Sequence, residues 1–145
     1  MRACAAVLVL GWLAVLSCYD LRQRRLPNPL TLPGAGAILL AAAWAGRGLP
    51  ALAGAAALTG IYLLVHLVAP AAMGAGDVKL AIGLGGLAGC FGVEVWFLAA
   101  LAAPLLTALW GLVARFCGRA GAAATVPHGP SMCLATAGAV SLAVV

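Results

Sequence analysis

The sequence predicts an all-α fold, a polytopic membrane bundle of about six transmembrane helices that forms a single domain over residues 1–145. Of the 145 residues, 66% are apolar and 8% are charged, whereas soluble domains average about 25% charged residues. The mean hydropathy of +1.16 is typical of an integral membrane protein. The apolar segments are rich in Ala and Leu and lack two-residue alternation, which favours helices over a β-barrel.

Six apolar segments are candidates for crossing the bilayer, which takes about 20 residues per helix. The first, fourth and sixth are short, and the sixth runs to the C-terminus. Pro33 and Pro104 fall inside segments, where membrane helices tolerate proline. The six segments are residues 3–19, 30–46, 49–69, 78–92, 94–114 and 131–145.

The basic residues predict the orientation of these segments. With the N-terminus outside, the cytoplasmic loops hold six basic residues and the outer side holds two, which satisfies the positive-inside rule. The net charge of +5 is therefore interpreted as contact with membrane lipid, and no nucleic-acid partner is expected. The inner residues are Arg22, Arg24, Arg25, Lys79, Arg115 and Arg119, and the outer residues are Arg2 and Arg47. The run ending in Leu16-Ser17-Cys18 weakly resembles a lipoprotein signal, but the arginines that follow it oppose export.

The chain contains only three acidic residues, and this topology brings two of them to the same side. Asp20 follows the first segment and Asp77 precedes the fourth, both on the cytoplasmic side, whereas Glu94 lies on the outer side. Taken singly, Asp20 can be a solvated charge at a helix end and Asp77 an N-cap. Ionisable groups near the membrane are costly and usually functional. Two carboxylates at close range can share one proton, so that one acts as base and the other as acid.

Two sequence elements around these aspartates resemble the type IV prepilin peptidases. Asp20 precedes Leu26-Pro27-Asn28-Pro29-Leu30-Thr31, and Gly74-Ala75-Gly76-Asp77 is followed by Lys79. Members of that family have an aspartate followed by Pro-Asn-x-Leu-Thr, and later in the chain Gly-x-Gly-Asp-x-Lys. The two elements of this sequence occur in the same order. Pro127-His128-Gly129-Pro130 resembles a third recurrent element of that family.

The resemblance implies that Asp20 and Asp77 are catalytic. It implies an aspartyl endopeptidase that removes the short basic leader of a prepilin or pseudopilin before an apolar helix, at the cytoplasmic face of the inner membrane. Gly74 and Gly76 are then expected to let an extended substrate approach the backbone, and Pro27, Asn28 and Lys79 to shape the site. For Lys79, anchoring at the membrane interface is the preferred interpretation.

The chain lacks the paired Cys-x-x-C insertion that larger members of the family carry. Only about ten residues separate the first two segments, and the five cysteines include no Cys-x-x-C pair. The sequence therefore resembles the small peptidases of tight-adherence and Flp pilus systems, and no N-methyltransferase activity is expected. His66 and His128 lack a third ligand, because the nearby acids are already assigned, so neither a metal nor another cofactor is expected.

Packing and protonation can also be predicted. Gly83, Gly85, Gly86 and Gly89 favour close helix packing along the fourth segment. Trp96 and Trp110 are placed in the interfacial belts of the fifth. Asp20 lies at a helix C-terminus and Asp77 at a helix N-terminus, so the helix dipoles favour ionised Asp77 and place the shared proton on Asp20.

Two other functional classes are compatible with a small membrane bundle. A non-catalytic scaffold or assembly subunit of a pilus or secretion system would keep the same framework without using the aspartates chemically. A small transporter would use buried acids to relay protons, but such proteins often show inverted repeats and midplane acids. The sequence shows no repeat, and both aspartates map to the interface.

Overall fold

The computed structural model describes residues 2–117 and 127–144 and is all-α, as predicted. Its described residues form six helices: α1 (Arg2–Gln23), α2 (Asn28–Trp44), α3 (Gly48–Val68), α4 (Ala75–Gly89), α5 (Val93–Phe116) and α6 (Gly129–Val144). By length and composition, three of the described helices can cross a membrane, namely Cys4–Gln23, Gly48–Val68 and Val93–Phe116. The helices α2, α4 and α6 are shorter, with 17, 15 and 16 residues. Arg119 lies outside the described residues.

Helix α1 extends beyond the predicted first segment and takes Asp20 into its last turn. The backbone N–H of Arg24 donates to the carbonyl oxygen of Asp20 over 2.9 Å, and Arg24 then adopts a left-handed φ of 51°. A left-handed residue after the last turn is a common way for a helix to end. Asp20 is therefore fixed by helical backbone rather than by a loop.

Helix α4 is the central helix of the bundle and contacts α2, α3, α5 and α6. Its glycines permit this close packing, as the sequence predicts, and the main partner is α3. A Cβ atom added to Gly85 would lie 2.5 Å from the carbonyl oxygen of Gly54, and one added to Gly89 would lie 2.5 Å from that of Pro50. Gly83 faces Trp12 of α1 and Ala35 of α2 instead.

The core is formed by side chains that α1, α4 and α6 direct towards one another. Leu16, Leu80, Leu84 and Met132 are almost completely buried. Large apolar side chains on the outer faces of α1, α3 and α5 are exposed, as expected for surfaces that contact lipid. Between helices in lipid, dispersion and interhelical hydrogen bonds stabilise packing, because lipid tails are as apolar as leucine.

Trp96 has a packing role that the interfacial-belt interpretation does not include. Its side chain is half-buried against the core, and its Nε1 donates to the carbonyl oxygen of Gly54 over 2.9 Å. The same carbonyl lies at the close contact between α3 and α4, so the hydrogen bond from Trp96 connects α5 to that contact. Trp110 is 62% exposed, in agreement with a lipid-facing position.

Candidate active site

Asp20 is buried at the cytoplasmic end predicted for α1 and contacts the start of α6. Its side chain is only 7% exposed, and its Oδ2 accepts a hydrogen bond from the backbone N–H of Gly129 over 3.1 Å. A Cβ atom at position 129 would lie 2.6 Å from that same oxygen. Glycine is thus required for the α6 backbone to approach the carboxylate.

Asp77 lies in the first turn of α4 and is half-buried. Gly74, not Asp77, is the N-cap, and the backbone N–H of Asp77 donates to the carbonyl oxygen of Gly74 over 3.1 Å. The N-cap interpretation of Asp77 is therefore wrong. As the third residue of the helix, its carboxylate can reach back towards the N-cap backbone, as the acidic residue of a capping box does.

Both aspartates line a single cavity of about 310 Å³ between the two sequence elements. The cavity is also lined by three basic side chains, Arg24, Arg25 and Lys79. Two carboxylates and three cations therefore share one small volume, in which each charge influences the protonation of the others. The remaining lining residues are Leu26, Gly74, Ala75 and Gly76.

The protonation of Asp77 departs from the helix-end prediction. Burial raises the pKa of Asp77 to about 6, the negative charge of Asp20 adds to the increase, and the backbone N–H of Gly74 opposes it. The helix dipole is worth only about 0.3–1 kcal/mol at an exposed helix end. Burial and a neighbouring carboxylate outweigh it at this position, so Asp77 keeps its proton up to a higher pH than an ordinary aspartate does.

Lys79 and Asn28 connect the two sequence elements across the cavity. The Nζ of Lys79 donates to Oδ1 of Asn28 over 2.8 Å, so this lysine binds protein in addition to any anchoring at the interface. Pro27 and Asn28 are not among the described residues that line the cavity. Pro27 is the N-cap of α2, and its carbonyl oxygen accepts from the backbone N–H and the hydroxyl of Thr31.

Helix packing, in addition to the expected approach of a substrate, explains why position 76 is a glycine. A Cβ atom at this position would lie 3.2 Å from the Cβ of Leu26, so Gly76 allows the start of α4 to pack against the segment between α1 and α2. At Gly74, a Cβ atom would make an ordinary contact of 3.4 Å with Oδ2 of Asp77. Of the two glycines, Gly76 is the one at which an added Cβ atom would force its neighbour, Leu26, to shift.

A second cavity, apolar and about 460 Å³ in volume, lies beside Asp20 between α1, α5 and α6. Ser17 and Leu21, which flank Asp20 on its helix, contribute to its wall. An apolar segment held in this cavity would therefore lie next to the carboxylate. Further lining residues include Leu13, Ala14, Trp110, Leu134 and Ala137.

Four residues near the dyad were not predicted from the sequence: Gly129, which contacts Asp20, and His128 with its partners Tyr62 and Thr107. The Pro127-His128-Gly129-Pro130 element was the available signal, but it carried no assigned role. Within residues 2–117 and 127–144, no group of three or more His, Cys, Asp or Glu side chains is arranged to hold a metal ion.

Comparison with known families gives one match. A family model described as the type IV leader peptidase family matches residues 7–112, a range that contains both aspartates and ends before His128. No curated protein and no solved structure is significantly similar to the chain.

Proposed function

The chain belongs to the type IV leader peptidase family, and we infer that it is a membrane aspartyl endopeptidase that uses Asp20 and Asp77. The observation that supports this most directly is that the two carboxylates, from α1 and α4, line the same cavity. Its proposed substrate is a prepilin or pseudopilin, whose short basic leader is removed at the cytoplasmic face of the inner membrane. The surplus of basic residues on that side supports the orientation.

In the proposed reaction, the dyad holds one proton and one water molecule. Ionised Asp20 takes a proton from the water, whose oxygen attacks the carbonyl carbon before the first residue of the mature pilin. Protonated Asp77 gives its proton to the leaving amide nitrogen as the C–N bond breaks. The new carboxyl group stays on the leader and the new amine on the pilin, so atoms and protons balance.

Two features support this division of roles over the one predicted from the helix ends. The Gly129 N–H donates to Oδ2 of Asp20 and favours its ionised form, which partly offsets the opposing effect of burial. Burial and the charge of Asp20 raise the pKa of Asp77 to about 6, which favours a proton there. Because the two groups interact, the dyad titrates as a unit and the assignment describes its dominant microstate.

The apolar cavity beside Asp20 supports a substrate that is cleaved next to an apolar helix. Its wall is almost entirely apolar and begins one residue after Asp20, at Leu21. If the helix of a pilin enters this cavity, the peptide bond just before that helix would lie next to the dyad. The cavity that both aspartates line would then receive the bond to be cleaved.

The test is cleavage of a candidate prepilin by the full chain in lipid, read by the mass of the products. We expect the wild-type protein to release a mature pilin with an unmethylated N-terminus, and Asp20→Asn and Asp77→Asn to release none. Glu94→Gln is the matched control, because Glu94 is an exposed acid at the start of α5, and it should cleave normally.

Two outcomes would contradict the proposal. Normal cleavage by either aspartate variant would remove that residue from the chemistry. Normal maturation and assembly with both aspartates replaced would favour the non-catalytic alternative.

A further inference from the structure

A polar cluster made of Tyr62, Thr107 and His128 lies within the bundle next to the dyad. The hydroxyl of Tyr62 on α3 lies 2.9 Å from Nε2 of His128, and Oγ1 of Thr107 on α5 lies 2.6 Å from Nδ1 of the same ring. His128 itself immediately precedes α6. The proposed reaction uses none of these three side chains, and His128 lies beyond the matched residues 7–112.

The hydrogen-bond pattern determines which nitrogen of a neutral His128 ring carries the proton. The hydroxyl of Thr107 donates its single proton to the carbonyl oxygen of Ala103 over 3.0 Å, because a carbonyl can only accept. Thr107 must therefore accept from Nδ1–H of His128. If the ring is neutral, Nε2 carries no proton and accepts from the Tyr62 hydroxyl.

The surroundings of the ring favour this neutral form. Burial lowers the pKa of His128, since a charged ring would lose its hydration. The titratable groups nearest to it are Tyr62, which bonds the ring directly, and Asp20, which bonds the next residue. Helix α5 contributes the neutral Thr107, and Asp77 of α4 interacts with Tyr62 electrostatically.

The ring is connected to Asp20 through one peptide unit. Two ring nitrogens tie His128 to α3 and α5, and its carbonyl oxygen accepts from the backbone N–H of Met132 in the first turn of α6. The next residue, Gly129, places its N–H 3.1 Å from Oδ2 of Asp20. Movement of the ring would therefore move the donor that contacts the carboxylate.

We propose that His128 is a positioning residue of the peptidase: bound to Tyr62 and Thr107, its ring holds the Gly129 N–H on the carboxylate of Asp20. This inference rests on the proposed function, since it assigns His128 a part in the same reaction. His128 does not contact the substrate. It acts on the rate by keeping Asp20 oriented and ionised, so that Asp20 can take a proton from the water.

The kinetic test compares variants of the cluster with a matched control in the prepilin cleavage assay. His128→Ala and Thr107→Val should lower kcat by about tenfold or more, the size expected for residues that orient a catalytic group, and should change KM by less than about twofold. Thr59→Val is the control, because its buried hydroxyl has no hydrogen-bond partner in the described structure, and kcat should not change.

Combining the variants separates positioning from general damage to the fold. Thr107→Val should have little further effect on kcat when His128 is already Ala, because the two side chains act through one hydrogen bond. If the wild-type protein cleaves prepilin, then additive losses in the double variant, or a normal kcat for His128→Ala, would overturn the inference. An inactive wild-type protein would instead contradict the proposed function.

The ring nitrogens give a readout that is independent of activity. In ¹⁵N spectra of the full chain in detergent, His128 should show a protonated Nδ1 and an unprotonated Nε2. Thr107→Val should shift the Nδ1 resonance, whereas Thr59→Val should leave it unchanged. A protonated Nε2 in the wild-type protein at neutral pH would contradict the proposed hydrogen-bond direction and, with it, the positioning role.

Discussion

The two aspartates have the same side chain but different surroundings, and this difference determines how the dyad titrates. Burial disfavours the charge on both, but the Gly129 N–H partly offsets this at Asp20, whereas at Asp77 the charge of Asp20 adds to burial and the pKa is raised to about 6. If Asp77 carries the working proton, the free enzyme loses its active form as the pH rises through about 6. We therefore expect kcat/KM, which reports the free enzyme, to decrease above that pH.

The pH profile of kcat/KM on a prepilin peptide checks this expectation. Glu94→Gln should leave the profile unchanged, because Glu94 lies on α5 outside the cavity lining. An increase of kcat/KM through pH 6 would instead show that ionised Asp77 is the working form, as the helix ends alone predict.

The same group also affects stability. Since the pKa of Asp77 is raised in the folded state, folding favours its protonated form, and stability decreases as the pH rises from about 4 to about 6. Asp77→Asn should therefore be more stable than the wild-type protein at pH 7, by at most about 3 kcal/mol, at roughly 1.4 kcal/mol for each tenfold change in proton affinity. Thermal unfolding in detergent should show this difference at pH 7 and its disappearance near pH 4.

Among the helices, the contact of α3 with α4 sets the position of Asp77. Gly85→Ala places a Cβ atom 2.5 Å from the carbonyl oxygen of Gly54 and 2.8 Å from the Cβ of Leu58, so the two helices must separate. Overpacking of this kind costs about 1–3 kcal/mol. We expect a lower melting temperature and slower cleavage, because the start of α4 moves relative to Asp20.

Gly60→Ala is the matched control for this prediction. It replaces a glycine on α3 whose added Cβ has no atom within 4 Å, and alanine favours a helix over glycine by about 1 kcal/mol. Its melting temperature should be unchanged or higher. Equal destabilisation by both variants would show that helix propensity, not the α3–α4 contact, determines the effect.

The helices could be predicted from the sequence because hydropathy is a local property. The six segments agree with the six described helices within a few residues, and the two aspartates are candidates because acids are rare in this chain. The end of α1 was missed, since the arginines after Asp20 look like a loop although the helix continues to Gln23. The cluster of Tyr62, Thr107 and His128 depends on how three helices rotate, and no local pattern records that.

At the scale of the whole molecule, the distribution of basic residues and the position of the site favour the same orientation of the bundle in the membrane. The cavity with the dyad is lined by Arg24, Arg25 and Lys79 at one end of the bundle. Arg47 lies in the turn between α2 and α3, where it donates to the carbonyl oxygen of Cys90 in the turn between α4 and α5. The end with the dyad carries most of the basic residues, and from the positive-inside rule we expect it to face the cytoplasm.

Single cysteines in an otherwise cysteine-free variant test this orientation in intact cells. Gln23→Cys, at the end of α1 near the dyad, should resist a membrane-impermeant thiol reagent until the cells are opened. Ala45→Cys, in the exposed turn between α2 and α3, should react from outside. The cysteine-free variant must cleave prepilin as its control, because the five native cysteines are replaced in it. Reaction of Gln23→Cys from outside would place the dyad on the outer face, where a basic leader retained in the cytoplasm could not reach it.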